Sequence, residues 1–254
     1  MGGSGREGCG KVYIVGGGPG DPDLITVKAL KTIMEADVII YDRLAPHGIL
    51  NKAKDGAELI YVGKEPGGKG PSQDYINNLL LAKACEGKTV VRLKGGDPYT
   101  YGRGEEECMF LIENGVECEV VPGIPSYIAA AALHGVPLTS RGVSSTFAVV
   151  PGREAEHKPE STKVRLEDIA SAVDTIVILM GASRARELAR RLMKVLPPDT
   201  PVAIAINVSL PNAKTLITDL ATIASGSLDN EIKNPAVIIV GNVVKLREKL
   251  YKAA

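Results

Sequence analysis

Short, continuously apolar segments recur along the chain and are separated by segments whose apolar residues have helical spacing. Strands that are buried on both faces of a sheet show this unbroken pattern, whereas strands with one face in solvent alternate between apolar and polar residues. The pattern predicts buried strands in the first half of the chain over Val12–Val15, Val38–Tyr41, Leu59–Val62, Thr89–Leu93 and Cys118–Val121.

Predicted helices lie between these strands, and this alternation indicates a mostly parallel sheet. The helix after the first strand is expected to have Asp23 as its N-cap and to bury Val27, Leu30 and Met34, which recur at helical spacing. The alanine-rich segment Ser126–His134 is apolar on all sides and predicts a buried helix. Two further helices are predicted, one between the N-cap Ser72 and the terminating Gly87 and one over Glu105–Asn114.

The pattern breaks from Pro137 to Ser145, where proline, serine, arginine and glycine predict a linker. Beyond it, Val202–Ile206 and Thr215–Thr218 are joined without room for a helix, so part of the second sheet is expected to be antiparallel. We therefore predict an α/β protein with two α/β domains, residues 11–138 with a mostly parallel sheet and residues 145–254 with a mixed sheet. The second domain also has predicted strands over Thr146–Val150, Thr175–Leu179 and Val237–Val240 and an amphipathic helix from Ala185 to Leu196.

The composition is typical of a globular protein, because 44% of the 254 residues are hydrophobic and 24% are charged. The 30 basic side chains balance the 30 acidic ones, which argues against a general nucleic-acid binder with its basic excess. The longest apolar run, Tyr127–Leu133, is far shorter than the roughly 20 residues that span a bilayer, so we expect no membrane partner. No secretory signal segment is recognisable, and the expected location is the cytoplasm.

The cysteines Cys9, Cys85, Cys108 and Cys118 form no C-x-x-C pair, and the chain has only 3 histidines. This is a poor set of zinc ligands, so we expect no metal site. The cysteines are predicted to be reduced thiols that are mostly buried.

Two glycine-rich loops are similar to nucleotide-binding motifs without satisfying them. In Gly16–Pro22, Asp21 stands where the dinucleotide fingerprint G-x-G-x-x-G has its last glycine, and Pro19 lacks the amide hydrogen that would contact a pyrophosphate. In Gly63–Gly70, the final glycine stands where a P-loop needs Ser or Thr for Mg²⁺. The sequence therefore disfavours a dinucleotide-dependent oxidoreductase and a nucleotide hydrolase.

A third loop, Arg92–Gly104, follows a predicted strand and reads Arg-Leu-Lys-Gly-Gly-Asp-Pro-Tyr-Thr-Tyr-Gly-Arg-Gly. Its glycines let a ligand lie directly against the backbone, and a purely structural turn does not need this combination of residues. The acidic residues Glu105–Glu107 follow the loop and are interpreted as complementing the dipole of the helix that begins there.

Taken together, five segments occur in the order and spacing of a known family: Val15–Pro22, Tyr41–Leu44, Val62–Lys64, Val91–Gly104 and Val121–Ser126. With these segments the chain resembles the tetrapyrrole methylase superfamily, the class III methyltransferases that use S-adenosylmethionine (SAM). The resemblance runs from about Lys11 to about Val244. The Gly-Gly-Asp-Pro loop that ends in Gly-Arg-Gly resembles that of the members that methylate uroporphyrinogen III, whereas the related precorrin and diphthamide-pathway methylases usually vary it.

The resemblance implies an enzyme that methylates uroporphyrinogen III twice, through precorrin-1 to precorrin-2, in sirohaem or cobalamin biosynthesis. It implies SAM as co-substrate, S-adenosylhomocysteine as product, a ligand cleft between the two domains, and a homodimer. By motif, Asp42 would be the proton acceptor and Lys64 the proton donor. The implied cofactor contacts are Pro19, Gly95, Gly96, Asp97, Thr100, Pro125, Ser126, Met180 and Val208.

The implied substrate is an octacarboxylate tetrapyrrole, and the planar fork of an arginine side chain suits carboxylates. Arginines on the amphipathic helix of the second domain are interpreted as solvated surface charges. The expected substrate contacts are Arg43, Lys94, Arg103, Arg141 and Arg153.

Alternatives stay open for single residues and for the activity. Asp42 can accept a proton, or it can merely pair with Arg43 to fix the loop, and Met180 can belong to the core or to a ligand site. The activity can be that of a later precorrin methylase or of a non-catalytic module that binds SAM or a tetrapyrrole. The chain departs from the family pattern at Pro125, Lys69, Ser140 and Val208, which bears on the ligand contacts.

Overall fold

The structure is a computed structural model that describes residues 8–63, 70–153 and 163–251. Its contacts divide the chain into two compact units, Met1–Pro125 and Ser126–Ala254, and each unit contains one five-stranded sheet. The boundary predicted from the sequence falls later, at residues 139–144, after the helix Ser126–Leu133. The contacts assign that helix to the second unit, where it packs against the strand Ala236–Val240.

The first unit has the strands β1 (Val12–Gly16), β2 (Val38–Tyr41), β3 (Glu58–Tyr61), β4 (Val90–Lys94) and β5 (Cys118–Val121). Their order across the sheet is β3-β2-β4-β1-β5, and every neighbouring pair is parallel. The predicted parallel sheet is therefore confirmed. Because all strands run the same way, their carboxyl ends meet at one edge, which is where open α/β sheets bind ligands.

The helices of this unit are α1 (Val27–Glu35), α2 (Gln73–Cys85) and α3 (Gly104–Glu113). Helix α1 covers one face of the sheet, and α2 and α3 cover the other. Successive side chains of a strand point to opposite faces. In β4, Val91 and Leu93 therefore lie on the α1 face, while Val90, Arg92 and Lys94 lie on the face of α2 and α3.

The prediction for α1 is wrong in its cap and in two of the three residues of its buried face, whereas Leu30 packs against the core as predicted. The N-cap is Thr26, whose Oγ1 accepts a hydrogen bond from the N–H of Ala29 at 3.2 Å, whereas Asp23 lies in a separate 3-10 turn. Val27 and Met34 are 69% and 50% exposed. A helix can pack closely on a sheet through small side chains, so apolar spacing alone does not identify its inner face. The buried residues are Ala29, Thr32 and Ile33.

The second unit has the strands β6 (Phe147–Pro151), β7 (Thr175–Leu179), β8 (Pro201–Ile206), β9 (Lys214–Asp219) and β10 (Ala236–Val240), in the order β6-β7-β10-β8-β9. Strands β6 and β7 are parallel, whereas β10 is antiparallel to β7 and β8, and β8 is antiparallel to β9. The predicted mixed sheet is confirmed. Because β7 and β8 both run opposite to β10, their carboxyl ends lie at the same edge.

The helices of the second unit are α4 (Ser126–Leu133), α5 (Leu166–Ala172), α6 (Ala185–Leu192), α7 (Leu220–Ser225) and α8 (Arg247–Leu250). Helix α4 is less buried than predicted, because Ala129 and Ala130 are buried while Ile128 and Leu133 are 43% and 42% exposed. Across the described ranges, no helix has both the length and the apolar character to cross a membrane.

The prediction of four reduced, mostly buried thiols is wrong. Cys108 of α3 and Cys118 of β5 form a disulfide. The sulfur atoms of Cys9 and Cys85 lie 2.7 Å apart, and Cys85 is exposed. The disulfide becomes possible because α3 packs against β5, a proximity that follows from the fold and not from the spacing of the cysteines.

Candidate active site

The loops at the carboxyl ends of β1, β4 and β5 are hydrogen-bonded to one another. Gly18 and Gly96 pair through two backbone N–H···O=C hydrogen bonds, of 3.1 and 2.6 Å. The loop after β5 joins them through Gly123, whose N–H donates to Oδ2 of Asp97 at 3.2 Å. Three loops thus form one hydrogen-bonded layer at the edge of the sheet where the sequence predicts a ligand.

The glycines of the β4 loop are required by the packing of the protein itself. Gly96 has a φ of 68°, in the left-handed region that favours glycine. A Cβ atom on Gly95 would lie 2.4 Å from the carbonyl oxygen of Leu44, in the loop after β2. From the sequence, these glycines are predicted to leave room for a ligand. That contact stays a prediction, and the protein itself gives an independent reason for each glycine: the close approach of Leu44 for Gly95 and the left-handed φ for Gly96.

Asp97 fixes the turn that follows. Its Oδ1 accepts hydrogen bonds from the N–H of Tyr99 at 3.0 Å and from the hydroxyl of Thr100 at 3.2 Å. Tyr101 and Arg103 then have left-handed φ angles of 57° and 59°. Non-glycine residues in this conformation are strained and cluster at functional sites. Strain in an exposed loop beside the sheet edge therefore supports a ligand site here.

Asp42 follows β2 at the same edge, and its carboxylate is held at both oxygens. The N–H of Leu44 donates to Oδ1 at 3.1 Å, and Nη2 of Arg92 donates to Oδ2 at 3.0 Å. The Asp42 side chain is 27% exposed, so solvent and ligands can reach it. Its ion-pair partner is Arg92, whereas the sequence suggested Arg43, which is exposed.

Arg92, Lys94 and Glu107 form a buried charge cluster next to Asp42, with exposures of 3%, 5% and 0%. Nζ of Lys94 donates to both carboxylate oxygens of Glu107 at 3.0 and 3.1 Å, and Nε of Arg92 donates to Oε1 of Glu107 at 3.2 Å. Burial, and then the charge of Arg92, lowers the pKa of the Lys94 ammonium, while Glu107 opposes this lowering. Lys94 was predicted to contact substrate, but its ammonium is buried against Glu107.

The spacing of the charged residues in the sequence is sufficient to predict this cluster. Arg92 and Lys94 are two positions apart in a buried strand and therefore share one face. Glu107 precedes the fully buried Leu111 by one turn of α3, so it lies on the inner face of that helix. Two cations on an inner face predict a buried counter-charge, because an unpaired buried charge is very costly.

The other predicted cations of the first unit are at the surface. Arg103 forms an ion pair with Glu106 at 2.6 Å, and this carboxylate raises the pKa of Arg103. Arg43 is exposed. Lys64, the predicted proton donor, and Lys69 lie outside the described residues.

The second unit carries a comparable strained edge at the ends of β7 and β8. Met180 directly follows β7, has a left-handed φ of 57° and is 47% exposed, so it is not a core residue. Val208 is buried. Its two neighbours in the chain, Asn207 and Ser209, have left-handed φ angles of 51° and 66°. Among the remaining predicted contacts, Pro19, Pro125 and Ser126 are half-buried, and Arg141 and Arg153 are exposed.

Comparison with known proteins identifies the family. The family model described as Tetrapyrrole (Corrin/Porphyrin) Methylases matches residues 11–224. The chain is a tetrapyrrole methylase.

Three proteins are similar to this tetrapyrrole methylase over nearly its whole length. The uroporphyrinogen-III C-methyltransferase of Priestia megaterium is 45% identical over 236 residues, which cover 92% of this chain and 98% of that protein. The crystal structure of a Thermus thermophilus uroporphyrin-III C-methyltransferase, complexed with S-adenosylhomocysteine, is 39% identical with a TM-score of 0.79, covering 93% of this chain and 94% of that chain. A cobalt precorrin-4 methyltransferase is 32% identical with a TM-score of 0.81, covering 92% of this chain and 95% of that chain.

All predicted site residues of this tetrapyrrole methylase lie inside the matched segment, residues 11–224. Each sheet edge combines strained backbone with exposed apolar or aromatic side chains, such as Tyr101 in the first unit and Met180 in the second. Within residues 8–63, 70–153 and 163–251, no group of three His, Cys, Asp or Glu side chains could hold a metal ion.

Proposed function

We propose that this tetrapyrrole methylase transfers methyl groups from SAM to uroporphyrinogen III, twice, giving precorrin-2 through precorrin-1. The near-full-length similarity to the Priestia megaterium enzyme carries this proposal. The carboxylate of Asp42, held at both oxygens yet open to ligands, adds chemical support.

The reaction needs positioning and a proton acceptor from the protein. SAM supplies a methyl group that is already activated on a sulfonium, and S-adenosylhomocysteine leaves as a neutral thioether. Methylation of a pyrrole carbon makes the ring cationic, and the ring must then lose a proton. Asp42 is the proposed acceptor, because a carboxylate that ligands can reach at this edge of the sheet can take up the proton.

The remaining roles follow the family motifs. Lys64 is the proposed proton donor. The proposed SAM contacts of the first unit begin at Pro19 and continue through the β4 loop, and those of the second unit include the strained Met180. The full proposed set is Pro19, Gly95, Gly96, Asp97, Thr100, Pro125, Ser126, Met180 and Val208.

A mass-spectrometric assay tests the activity. The protein is incubated with SAM and uroporphyrinogen III, and we expect two successive mass increments, each of one added methyl group. A control without SAM should leave the macrocycle unchanged. Binding of either ligand without any mass increment would contradict the proposal and favour a non-catalytic binding module.

The second candidate function is that of a later precorrin methylase. The observation that supports this candidate is the structural similarity to the cobalt precorrin-4 methyltransferase. The same assay separates the two candidates when uroporphyrinogen III and a later, already methylated precorrin are offered in equal amounts. We expect uroporphyrinogen III to be consumed first. Exclusive methylation of the later precorrin would support the second candidate instead.

Removal of the positive charge at Arg43 is expected to weaken substrate binding. Arg43 is exposed, and no ion pair is seen for it among the described residues, so its charge is available to a carboxylate. We expect Arg43→Ala to raise the KM for the macrocycle more than Arg103→Ala does, because Glu106 already compensates Arg103. SAM affinity should not change, and rising salt should weaken macrocycle binding more than SAM binding.

Steady-state kinetics with each substrate varied in turn measures this difference. The matched control is Arg190→Ala, since Arg190 is an exposed arginine on α6 outside every proposed contact. An equal rise in KM for the control variant, or equal salt sensitivity for SAM and the macrocycle, would argue against a role of Arg43 in substrate binding.

We also propose that the enzyme is a homodimer, as the family resemblance implies. Helix α4 supports this proposal, because Ile128 and Leu133 expose apolar side chains that association would cover. Light scattering should give twice the chain mass of 26.8 kDa. A mass of 26.8 kDa at micromolar concentration would contradict the proposal.

A further inference from the structure

Glu107 is a completely buried carboxylate that faces the sheet from α3, with an exposure of 0%. Four donated hydrogen bonds reach it. Nζ of Lys94 donates to both oxygens at 3.0 and 3.1 Å, Nε of Arg92 donates to Oε1 at 3.2 Å, and Nε2 of Gln73 donates to Oε1 at 3.2 Å. Gln73 also donates to Asn77 at 3.0 Å, which fixes this amide from α2. Glu107 is therefore held by groups from β4 and α2.

The guanidinium of Arg92 connects Glu107 to Asp42. Its Nε donates to Glu107, and its Nη2 donates to Oδ2 of Asp42 at 3.0 Å. The third nitrogen, Nη1, donates to the carbonyl oxygen of Leu93 at 2.9 Å. All three nitrogens of one planar group thus have partners, so the group cannot rotate without breaking a bond to one of the two carboxylates.

The charges in this arrangement balance. Arg92 and Lys94 contribute two positive charges, and Asp42 and Glu107 contribute two negative ones. Without Glu107, two cations would face a single carboxylate that is partly in solvent. Arg92 would then lose the partner that holds its Nε, and the orientation of its Nη2 toward Asp42 would no longer be fixed.

We propose that Glu107 is a positioning residue for Asp42 that acts through Arg92. The inference rests on the proposed role of Asp42 as proton acceptor. Glu107 holds the guanidinium in one orientation, and the guanidinium holds the Asp42 carboxylate directed at the open edge of the sheet. The N–H of Leu44 fixes the other oxygen of Asp42, so the acceptor has one orientation before substrate arrives.

A stabilising role alone makes a different prediction from a positioning role. If Glu107 only stabilises the fold, its loss acts on every step equally and does not depend on what stands at position 42. If Glu107 acts through Arg92 on Asp42, its loss matters for catalysis only while Asp42 can accept a proton.

A double-mutant cycle on kcat tests this difference. We expect Glu107→Gln to lower kcat by about 10- to 100-fold, because loss of a fixed acceptor geometry has effects of this size. The KM for the macrocycle and the affinity for SAM should change by less than about threefold. This is a smaller change than we expect from a variant that loses a direct contact to one of these ligands. In the Asp42→Asn background, adding Glu107→Gln should leave the residual single-turnover rate unchanged.

The control variant is Glu105→Gln, in the same helical turn but exposed, which should keep the wild-type kcat. Equal losses from Glu107→Gln with and without Asp42→Asn would overturn the inference and leave the proposed function intact. Full turnover by Asp42→Asn alone would instead overturn the proposed role of Asp42, and the inference with it.

A milder variant covers the case in which Glu107→Gln does not fold. Glu107→Asp keeps the charge but withdraws the carboxylate by one methylene group, and it enters the same cycle. We expect a smaller loss of kcat that again disappears in the Asp42→Asn background. A loss of the same size in both backgrounds would overturn the inference here as well.

Discussion

Asp42→Asn is expected to slow methyl transfer by about 10²–10⁴-fold, the usual contribution of a general base. The amide keeps the shape of the carboxylate and can still accept a hydrogen bond from Arg92 through its oxygen, but it cannot take up the proton that the methylated ring must lose. SAM affinity should stay near that of the wild type. Single-turnover transfer of a labelled methyl group and calorimetry with SAM measure the two quantities separately.

The control for this prediction is Asp55→Asn, because Asp55 is an exposed aspartate in the turn before β3. It should retain wild-type turnover. Two results would show that Asp42 is structural: full turnover by Asp42→Asn, or a joint loss of SAM binding and folding. The second result is possible because the Asp42 carboxylate also orders its own loop through the N–H of Leu44.

Gly95→Ala is expected to reduce methyl transfer by about 10²-fold, because it displaces the loop that carries the acceptor. The new Cβ would lie 2.4 Å from the carbonyl oxygen of Leu44, a backbone atom that can move only if the loop from Asp42 to Ala45 moves with it. Such overpacking also costs about 1–3 kcal/mol of stability. Steady-state kinetics and thermal unfolding measure the two effects.

Gly56→Ala is the matched control in the same unit. Gly56 has a φ of 80°, and a Cβ atom added to it would meet no heavy atom of the described residues within 4 Å, so alanine there meets backbone strain but no obstacle. We expect a stability loss of about 1 kcal/mol and unchanged turnover. Wild-type turnover and wild-type Tm in Gly95→Ala would contradict the close approach of the two loops.

The strands were predictable because strands of a parallel sheet leave an unbroken apolar signature, and β2 and β5 match their predicted bounds. The prediction of a buried third strand is wrong, because β3 is an edge strand whose Leu59 and Tyr61 are 46% and 41% exposed. The orientation of α1 was not predictable in this way. Its inner face uses Ala29, Thr32 and Ile33, with Leu30 partly buried against the same core, while Val27 and Met34 are exposed, so two of the three predicted residues lie on the outer side. Packing distance, which sequence spacing does not encode, decides which face is buried.

The candidate site was predictable where topology decides it. The rule that ligands bind at the carboxyl ends of parallel strands placed Asp42 and the β4 loop at one edge, and the structure has both there. The partner of Asp42 was not predictable from neighbours in the chain, since Arg92 reaches it from the adjacent strand. The burial of Lys94 was missed because a lysine is rarely buried unless it is paired, and its partner Glu107 lies on a helix.

The charged residues on β4 also restrict how the first sheet can assemble. A slip of β4 by one residue against β1 and β2 would turn every side chain of the strand to the opposite face. Arg92 and Lys94 would then enter the apolar cluster beneath α1, which includes Val15, Ile33 and Ile39, and would leave the face on which Glu107 lies. The observed pairing register keeps both cations on the face that carries Glu107, so the groups that orient the acceptor also discriminate against a one-residue slip of this strand during folding.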